Sequence, residues 1–171
     1  MINFGIIGIG NIAHRVAKGI LCSKKANLYA AASRNIENAE MFRKQYGAEK
    51  AYGSYEEMLG DPLVDVVYIC TPNALHYEQI MHCLSYGKHV VCEKPLVANA
   101  VQVKELFAEA KRNGCFLMEA EKTMFTPLNV KLKRMVKEGV IGKLQAIRAE
   151  YSYDVLEEVE RDHWVLDKNM G

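Results

Sequence analysis

Residues 2–13 read Ile2-Asn3-Phe4-Gly5-Ile6-Ile7-Gly8-Ile9-Gly10-Asn11-Ile12-Ala13. An apolar run that halts at two glycines and passes directly into a helical periodicity predicts strand, tight turn and helix in succession. A helix begun this way leaves its first backbone N–H groups unpaired and turns the positive end of its dipole outward. That arrangement seats a pyrophosphate. Gly8 permits the turn, Gly10 has no side chain to hold phosphates away, and Ala13 lets the helix lie close on the strand.

The next apolar run, residues 28–32, ends at Ser33-Arg34, about 20 residues past the glycines, where a dinucleotide fold reads the adenosine ribose. An acidic residue there would accept hydrogen bonds from free ribose hydroxyls and repel a phosphate. Ser33 and Arg34 do neither, so the expected coenzyme is NADP rather than NAD. A charge-assisted bond from Arg34 to a 2'-phosphate contributes about 1.5–3 kcal/mol.

Further along, residues 35–46 carry Ala39, Phe42 and Tyr46 at helical spacing before Gly47, and Ala51-Tyr52 form a very short strand. Ser54-Tyr55-Glu56-Glu57 is a capping box for a short helix that ends at Gly60-Asp61-Pro62. Residues 64–70, VDVVYIC, read as a buried parallel strand that delivers Thr71-Pro72-Asn73 to the carboxyl edge of the sheet. Asn73 is placed to cap the following helix, residues 74–86, with His76 in its first turn. Residues 88–92 make a fifth strand that delivers Glu93-Lys94-Pro95 to the same edge, with Lys94 held extended by the proline after it. Asn99 opens a helix through Val103, Leu106, Phe107 and Ala110, and residues 115–119 form a sixth strand. Six strands alternating with five helical segments define an α/β fold, a doubly wound parallel Rossmann sheet, over residues 1–120.

After Ala120 the pattern changes. Thr126-Pro127 starts a helix, and residues 143–154 alternate in the manner of a half-buried antiparallel strand with no partner in sight. Residues 121–171 are therefore expected to begin a second, incomplete domain whose remainder lies beyond this sequence.

Composition narrows the function. The chain has 171 residues, half of them hydrophobic, and a net charge of +1 with both signs well mixed. It carries no electrostatic footprint for nucleic acid or an anionic membrane, no apolar run of membrane-spanning length and no basic-then-apolar leader, so the expected location is cytoplasmic. The five cysteines have neither CxxC spacing nor histidines at zinc-finger spacing, so they read as reduced core residues, and no metal site is expected.

Taken together, Gly8-x-Gly10-Asn11-Ile12-Ala13, Ser33-Arg34, Thr71-Pro72-Asn73-x-x-His76 and Glu93-Lys94-Pro95-Leu96 resemble the glucose-fructose oxidoreductase and inositol dehydrogenase (Gfo/Idh/MocA) family. The stretch from Met118-Glu119-Ala120 to Pro127 is similar to the branch of dimeric dihydrodiol dehydrogenases and NADP-linked xylose dehydrogenases. The resemblance implies an oxidoreductase that moves a hydride between a nicotinamide and a CH–OH carbon of a sugar, polyol or dihydrodiol. It also implies that residues 121–171 begin an α+β antiparallel-sheet domain for substrate and dimerisation, and that the protein is a homo-oligomer built through that C-terminal sheet. By position, Lys94 takes the active-site role, and Gly8, Ile9, Gly10, Asn11, Ile12, Ser33, Arg34, Thr71, Pro72, Asn73, His76, Glu93 and Lys94 form the coenzyme site. Trp164 resembles a tryptophan found near the nicotinamide in some relatives, although Val165 stands where an arginine often follows. Family members continue past a position like Gly171 into an acid/base residue, so the present stretch alone is expected to bind NADP without turnover. A non-catalytic NADP-binding sensor or regulatory subunit would share this domain. A methyltransferase would want an acid where Ser33 and Arg34 stand.

Overall fold

A computed structural model describes residues 1–152 and residue 167. Trp164 and residues 153–154 of the expected antiparallel strand lie outside the described residues. Six parallel strands, β1 (Ile2–Ile7), β2 (Ala26–Ala32), β3 (Lys50–Tyr52), β4 (Val66–Ile69), β5 (His89–Cys92) and β6 (Leu117–Glu119), form one sheet in the order β3-β2-β1-β4-β5-β6. Between them run α1 (Asn11–Leu21), α2 (Ile36–Tyr46), α3 (Tyr55–Leu59), α4 (His76–Ser85) and α5 (Ala100–Arg112), and α6 (Pro127–Lys137) follows the sheet.

The strand order explains the two cores. On one face, Ala13, Ala17 and Ile20 of α1 and Phe42 and Tyr46 of α2 bury Ile6, Leu28 and Ala31. On the other, α3, α4 and α5 supply Met58, Leu59, Ile80, Cys83, Leu84, Leu106 and Ala110 against Ile7, Val67, Ile69, Val90 and Cys92. Alternate strand residues thus face alternate layers, as the pleat requires. The three alanines closing β2 are fully buried and small, which lets both helix layers approach it.

Local chemistry sets most element ends. Asn35 accepts a hydrogen bond from Glu37 N at 2.9 Å, Ser54 from Glu57 N at 3.1 Å and Asn99 from Gln102 N at 3.0 Å. Gly47, at φ +69°, closes α2 in the left-handed conformation. Several expectations are corrected. Asn73 makes no cap hydrogen bond: it opens a 3-10 turn, Asn73–Leu75, and α4 begins only at His76. Phe107 points outward, 49% exposed. The described part of the expected antiparallel strand, residues 143–152, is neither strand nor buried. An alternating sequence acquires strand geometry only from a neighbouring strand, and none lies beside it among the described residues.

Asp61 ties the first half of the sheet together. It is 8% exposed and its Oδ2 accepts from Tyr29 of β2 at 2.9 Å and from Lys50 and Tyr52 of β3 at 2.9 and 2.5 Å, while Oδ1 accepts from Leu63 N at 2.9 Å. Burial pushes its pKa up, but the hydrogen bonds from Tyr52, Leu63 N, Lys50 and Tyr29 outweigh it and hold the carboxyl well below the ordinary range. Burial and the Asp61 charge push the Tyr52 phenol up to about 12. Lys88, 7% exposed, donates to the carbonyls of Asp61 and Val64 at 2.7 and 2.9 Å.

Candidate functional site

The chain reverses its winding between β1 and β4, which are neighbours in the sheet but lead into helices on opposite faces. A crevice opens outside their carboxyl ends. Gly8 ends β1 there with φ +81°, and a Cβ on it would lie 2.6 Å from Thr71 N and 2.7 Å from Thr71 Cγ2. Glycine is needed both for the backbone conformation and for the close approach of the loop after β4. Gly10 is different. It is the residue before α1 at φ −113°, no side chain caps the helix, the first turn holds no acid, and a Cβ on Gly10 would meet nothing within 4 Å. The head of α1 is therefore open and electropositive, a cradle that fits a diphosphate and that a side chain on Gly10 would fill.

Beside this head lies a cleft of about 990 Å³. Ile12 and Arg15 of α1, Tyr68 of β4, Glu93 and Lys94 after β5, and Lys122 and Thr123 after β6 contribute to its walls. Tyr68 donates its hydroxyl proton to Glu93 Oε1 at 3.0 Å, which orients the carboxylate. Burial and the Glu93 charge push the Tyr68 phenol up, so it stays a proton donor. Lys94 is exposed to the cleft, and its bond to Pro95 is cis. Hydrogen bonds from the Thr123 hydroxyl and backbone hold the Glu121 carboxyl below its ordinary pKa, and the Lys94 charge adds to the effect. The cleft thus combines cations with carboxylates already engaged by other donors.

The structure brings Ile12, Glu93 and Lys94 into the lining of one cleft. Gly8, Ile9, Gly10 and Asn11 form the adjoining head of α1. Ser33 and Arg34 follow β2, one strand away from β1 along the same carboxyl edge. Ser33 Oγ accepts from Asn35 N at 3.3 Å. Arg34 is exposed, and its charge opposes the upward push that burial gives the phenol of Tyr55, the first residue of α3. Thr71 is 7% exposed and donates its hydroxyl proton to Gln79 Oε1 at 2.5 Å, so its contribution at the crevice is mainly backbone. Pro72 and Asn73 are half-buried beside it. His76 is fully buried, with Nδ1 2.9 Å from the carbonyl oxygen of Pro95 and Nε2 3.0 Å from that of Thr71.

Sequence reasoning missed Arg15, Tyr68, Lys122 and Thr123. Arg15 stands three residues beyond Ile12 on α1, a spacing that gives both the same helix face and could have been read. Tyr68 alternates with Val67 and Ile69 on β4, which assigns its face but not its partner Glu93, 25 residues away. Among the described residues no group of three metal-ligating side chains converges. The five cysteines are free, and one departs from the expected core placement: Cys22, which caps the end of α1, is exposed, whereas burial pushes the Cys83 thiol up to about 12 and raises Cys70 and Cys92 as well.

A doubly wound parallel sheet with an open helix head at its switch point defines a dinucleotide-binding Rossmann domain. The sequence profile described as "Oxidoreductase family, NAD-binding Rossmann fold" matches residues 2–121, and the chain belongs to that family, Gfo/Idh/MocA. It is 39% identical over 156 residues to the trans-1,2-dihydrobenzene-1,2-diol dehydrogenase of Mus musculus, covering 90% of this chain and 47% of the relative. Its identity to the Homo sapiens enzyme of that name is 37% over 157 residues, covering 91% and 47%. Among solved structures it is similar to KijD10, a 3-ketoreductase from Actinomadura kijaniata in complex with NADP, with a TM-score of 0.76, 36% identity, and coverage of 82% of this chain and 45% of that one. A probable dehydrogenase from Thermotoga maritima gives a TM-score of 0.78 at 33% identity, covering 83% and 43%. The chain spans about half the length of the curated relatives it matches. No helix among the described residues is long and apolar enough to cross a membrane.

Proposed function

We propose that this chain is the coenzyme half of an NADP-dependent oxidoreductase acting on the CH–OH carbon of a sugar, polyol or dihydrodiol. One observation carries the reading: the open head of α1 and the Lys94 side chain border the same region at the sheet's switch point. The relatives support the substrate class, since their names specify a dihydrodiol dehydrogenase and a ketoreductase. The coenzyme, when bound, supplies the hydride chemistry. The protein supplies placement and charge.

In this reading the unpaired N–H groups at Asn11 and Ile12 take the diphosphate, with Gly8, Ile9 and Gly10 shaping the turn around it, the Gly10 N–H being spent on the Gly8 carbonyl at 3.0 Å. Arg34 and Ser33 take the 2'-phosphate. Thr71, Pro72 and Asn73 border the crevice, and Glu93 accepts from ribose hydroxyls while Tyr68 fixes its orientation. Lys94 donates a hydrogen bond to the substrate oxygen and stabilises negative charge there as the hydroxyl proton passes to an acid/base residue of the substrate half. Residues 121 onward begin the substrate half, through which the protein forms a homo-oligomer.

Lys94→Ala in the whole protein tests the assignment. The expected result is a fall in kcat of about a hundredfold or more with NADP affinity changed less than about fivefold. Equal losses in both would reduce Lys94 to a coenzyme clamp, and unchanged turnover would favour a site in which it has no role.

A further inference from the structure

His76 is the one fully buried histidine among the described residues, and both of its ring nitrogens face backbone carbonyl oxygens. Those oxygens belong to two separate loops, Thr71 after β4 and Pro95 after β5. At least one nitrogen of an imidazole ring carries a proton, so at least one of the two contacts is a hydrogen bond. On its far side the same β5 loop is held again: Leu96 N donates to Glu119 Oε1 of β6 at 2.8 Å. Between β5 and these two anchors stand Glu93 and Lys94, and the Lys94 side chain is exposed and has no hydrogen-bond partner among the described residues.

We propose that His76 and Glu119 are positioning residues that fix Lys94 over the coenzyme. His76 donates Nδ1–H to the Pro95 carbonyl, and the Glu119 carboxylate receives Leu96 N–H. His76 then acts on the coenzyme through the two loops, with no ring atom left to touch it. Its burial behind Thr71 and Pro95 is what this role requires and what direct contact would forbid. The inference rests on the reading that a nicotinamide coenzyme lies in the cleft.

Asparagine and glutamine place a side-chain amide where Nδ1 and Nε2 stand, respectively. His76→Asn therefore keeps the donor to Pro95, and His76→Gln keeps only the one to Thr71. Glu119→Gln keeps an acceptor for Leu96 N, whereas Glu119→Ala removes it. The readout is pulse acylation of Lys94 by acetic anhydride with and without NADPH, followed by peptide mass spectrometry, alongside calorimetric NADPH affinity and a thermal melt. NADPH should shield Lys94 in the unmutated chain, in His76→Asn and in Glu119→Gln. In His76→Gln and in Glu119→Ala the shielding should fall about fivefold or more while NADPH affinity stays within about fivefold, the scale of one hydrogen bond.

Full shielding in both His76→Gln and Glu119→Ala would overturn the positioning role and leave the coenzyme reading intact. Loss of shielding in parallel with melting temperature in all four variants would make the clamps merely structural and likewise refute it. Failure of the unmutated chain to bind NADPH would overturn the coenzyme reading first and this inference with it. If the buried histidine variants do not fold, the Glu119 pair alone decides.

Discussion

Two glycines of one motif are present for different physical reasons, and exchanging each for alanine separates them. At Gly8 an alanine must hold φ +81°, a conformation that costs an L-residue about 1–2 kcal/mol. Its methyl would also stand 2.6 Å from Thr71 N and 2.7 Å from the carbonyl carbon of Cys70, both backbone atoms. Carbon contacts settle near 3.5–4.0 Å, so the loops after β1 and β4 must part by about 1 Å, and overpacking of that kind costs about 1–3 kcal/mol. Gly8→Ala should thus destabilise by about 2–5 kcal/mol and lower Tm by about 5–15 °C in a domain of this size. At Gly10 the methyl meets nothing within 4 Å and φ −113° suits any residue. Gly10→Ala should cost under about 1 kcal/mol, the scale of losing a favourable helix-cap residue. It nonetheless places a methyl where the diphosphate must come, and NADPH affinity should fall about tenfold or more. Thermal melts by circular dichroism and calorimetric NADPH titrations of both variants check this. The reasoning is refuted if Gly8→Ala melts with the unmutated chain, or if Gly10→Ala retains full affinity.

Further expectations concern charge. Arg34→Ala should weaken NADPH by about ten- to a hundredfold, the loss of one charge-assisted bond, and change NADH by less than about threefold; equal losses in a parallel titration would remove the 2'-phosphate role. Asp61 is depressed in the folded state, so its contribution to stability is complete above the unfolded carboxylate value near pH 4 and is lost as pH falls toward the folded one. Chemical denaturation between about pH 5 and pH 2 should show this decline, and Asp61→Asn should flatten it while lowering Tm at neutral pH by about 2–6 °C. An acid profile unchanged by Asp61→Asn would move the sensitivity to another carboxylate. The Lys94→Ala split between kcat and affinity completes the set.

The sequence carried the architecture because each decision was local. Ile6-Ile7 before Gly8, the alanines closing β2 and the VVYI of β4 show their periods within a few residues, and Asn35, Ser54 and Asn99 announce helix starts within one turn. The site was harder to read where its bonds are long-range. Asp61 stood in a Gly-Asp-Pro stop signal, and nothing local to it announces that Tyr29, Lys50 and Tyr52 converge there. His76 presented itself as a first-turn histidine, but its burial depends on Pro95, 19 residues later, being brought alongside by strand pairing. The alternation of residues 143–152 misled for the opposite reason: the pattern is present and no neighbouring strand lies beside it among the described residues. Tyr68 and Arg15 had legible faces, but a face alone does not reveal a cleft.

The claim beneath all of this is that a 2'-phosphorylated dinucleotide lies across the head of α1 with Arg34 holding the extra phosphate. Parallel calorimetric titration of the purified, folded chain with NADPH and NADH tests it most directly. The account predicts saturable NADPH binding at least about tenfold tighter than NADH. Tighter binding of NADH, or no heat from either at millimolar concentration, would contradict it.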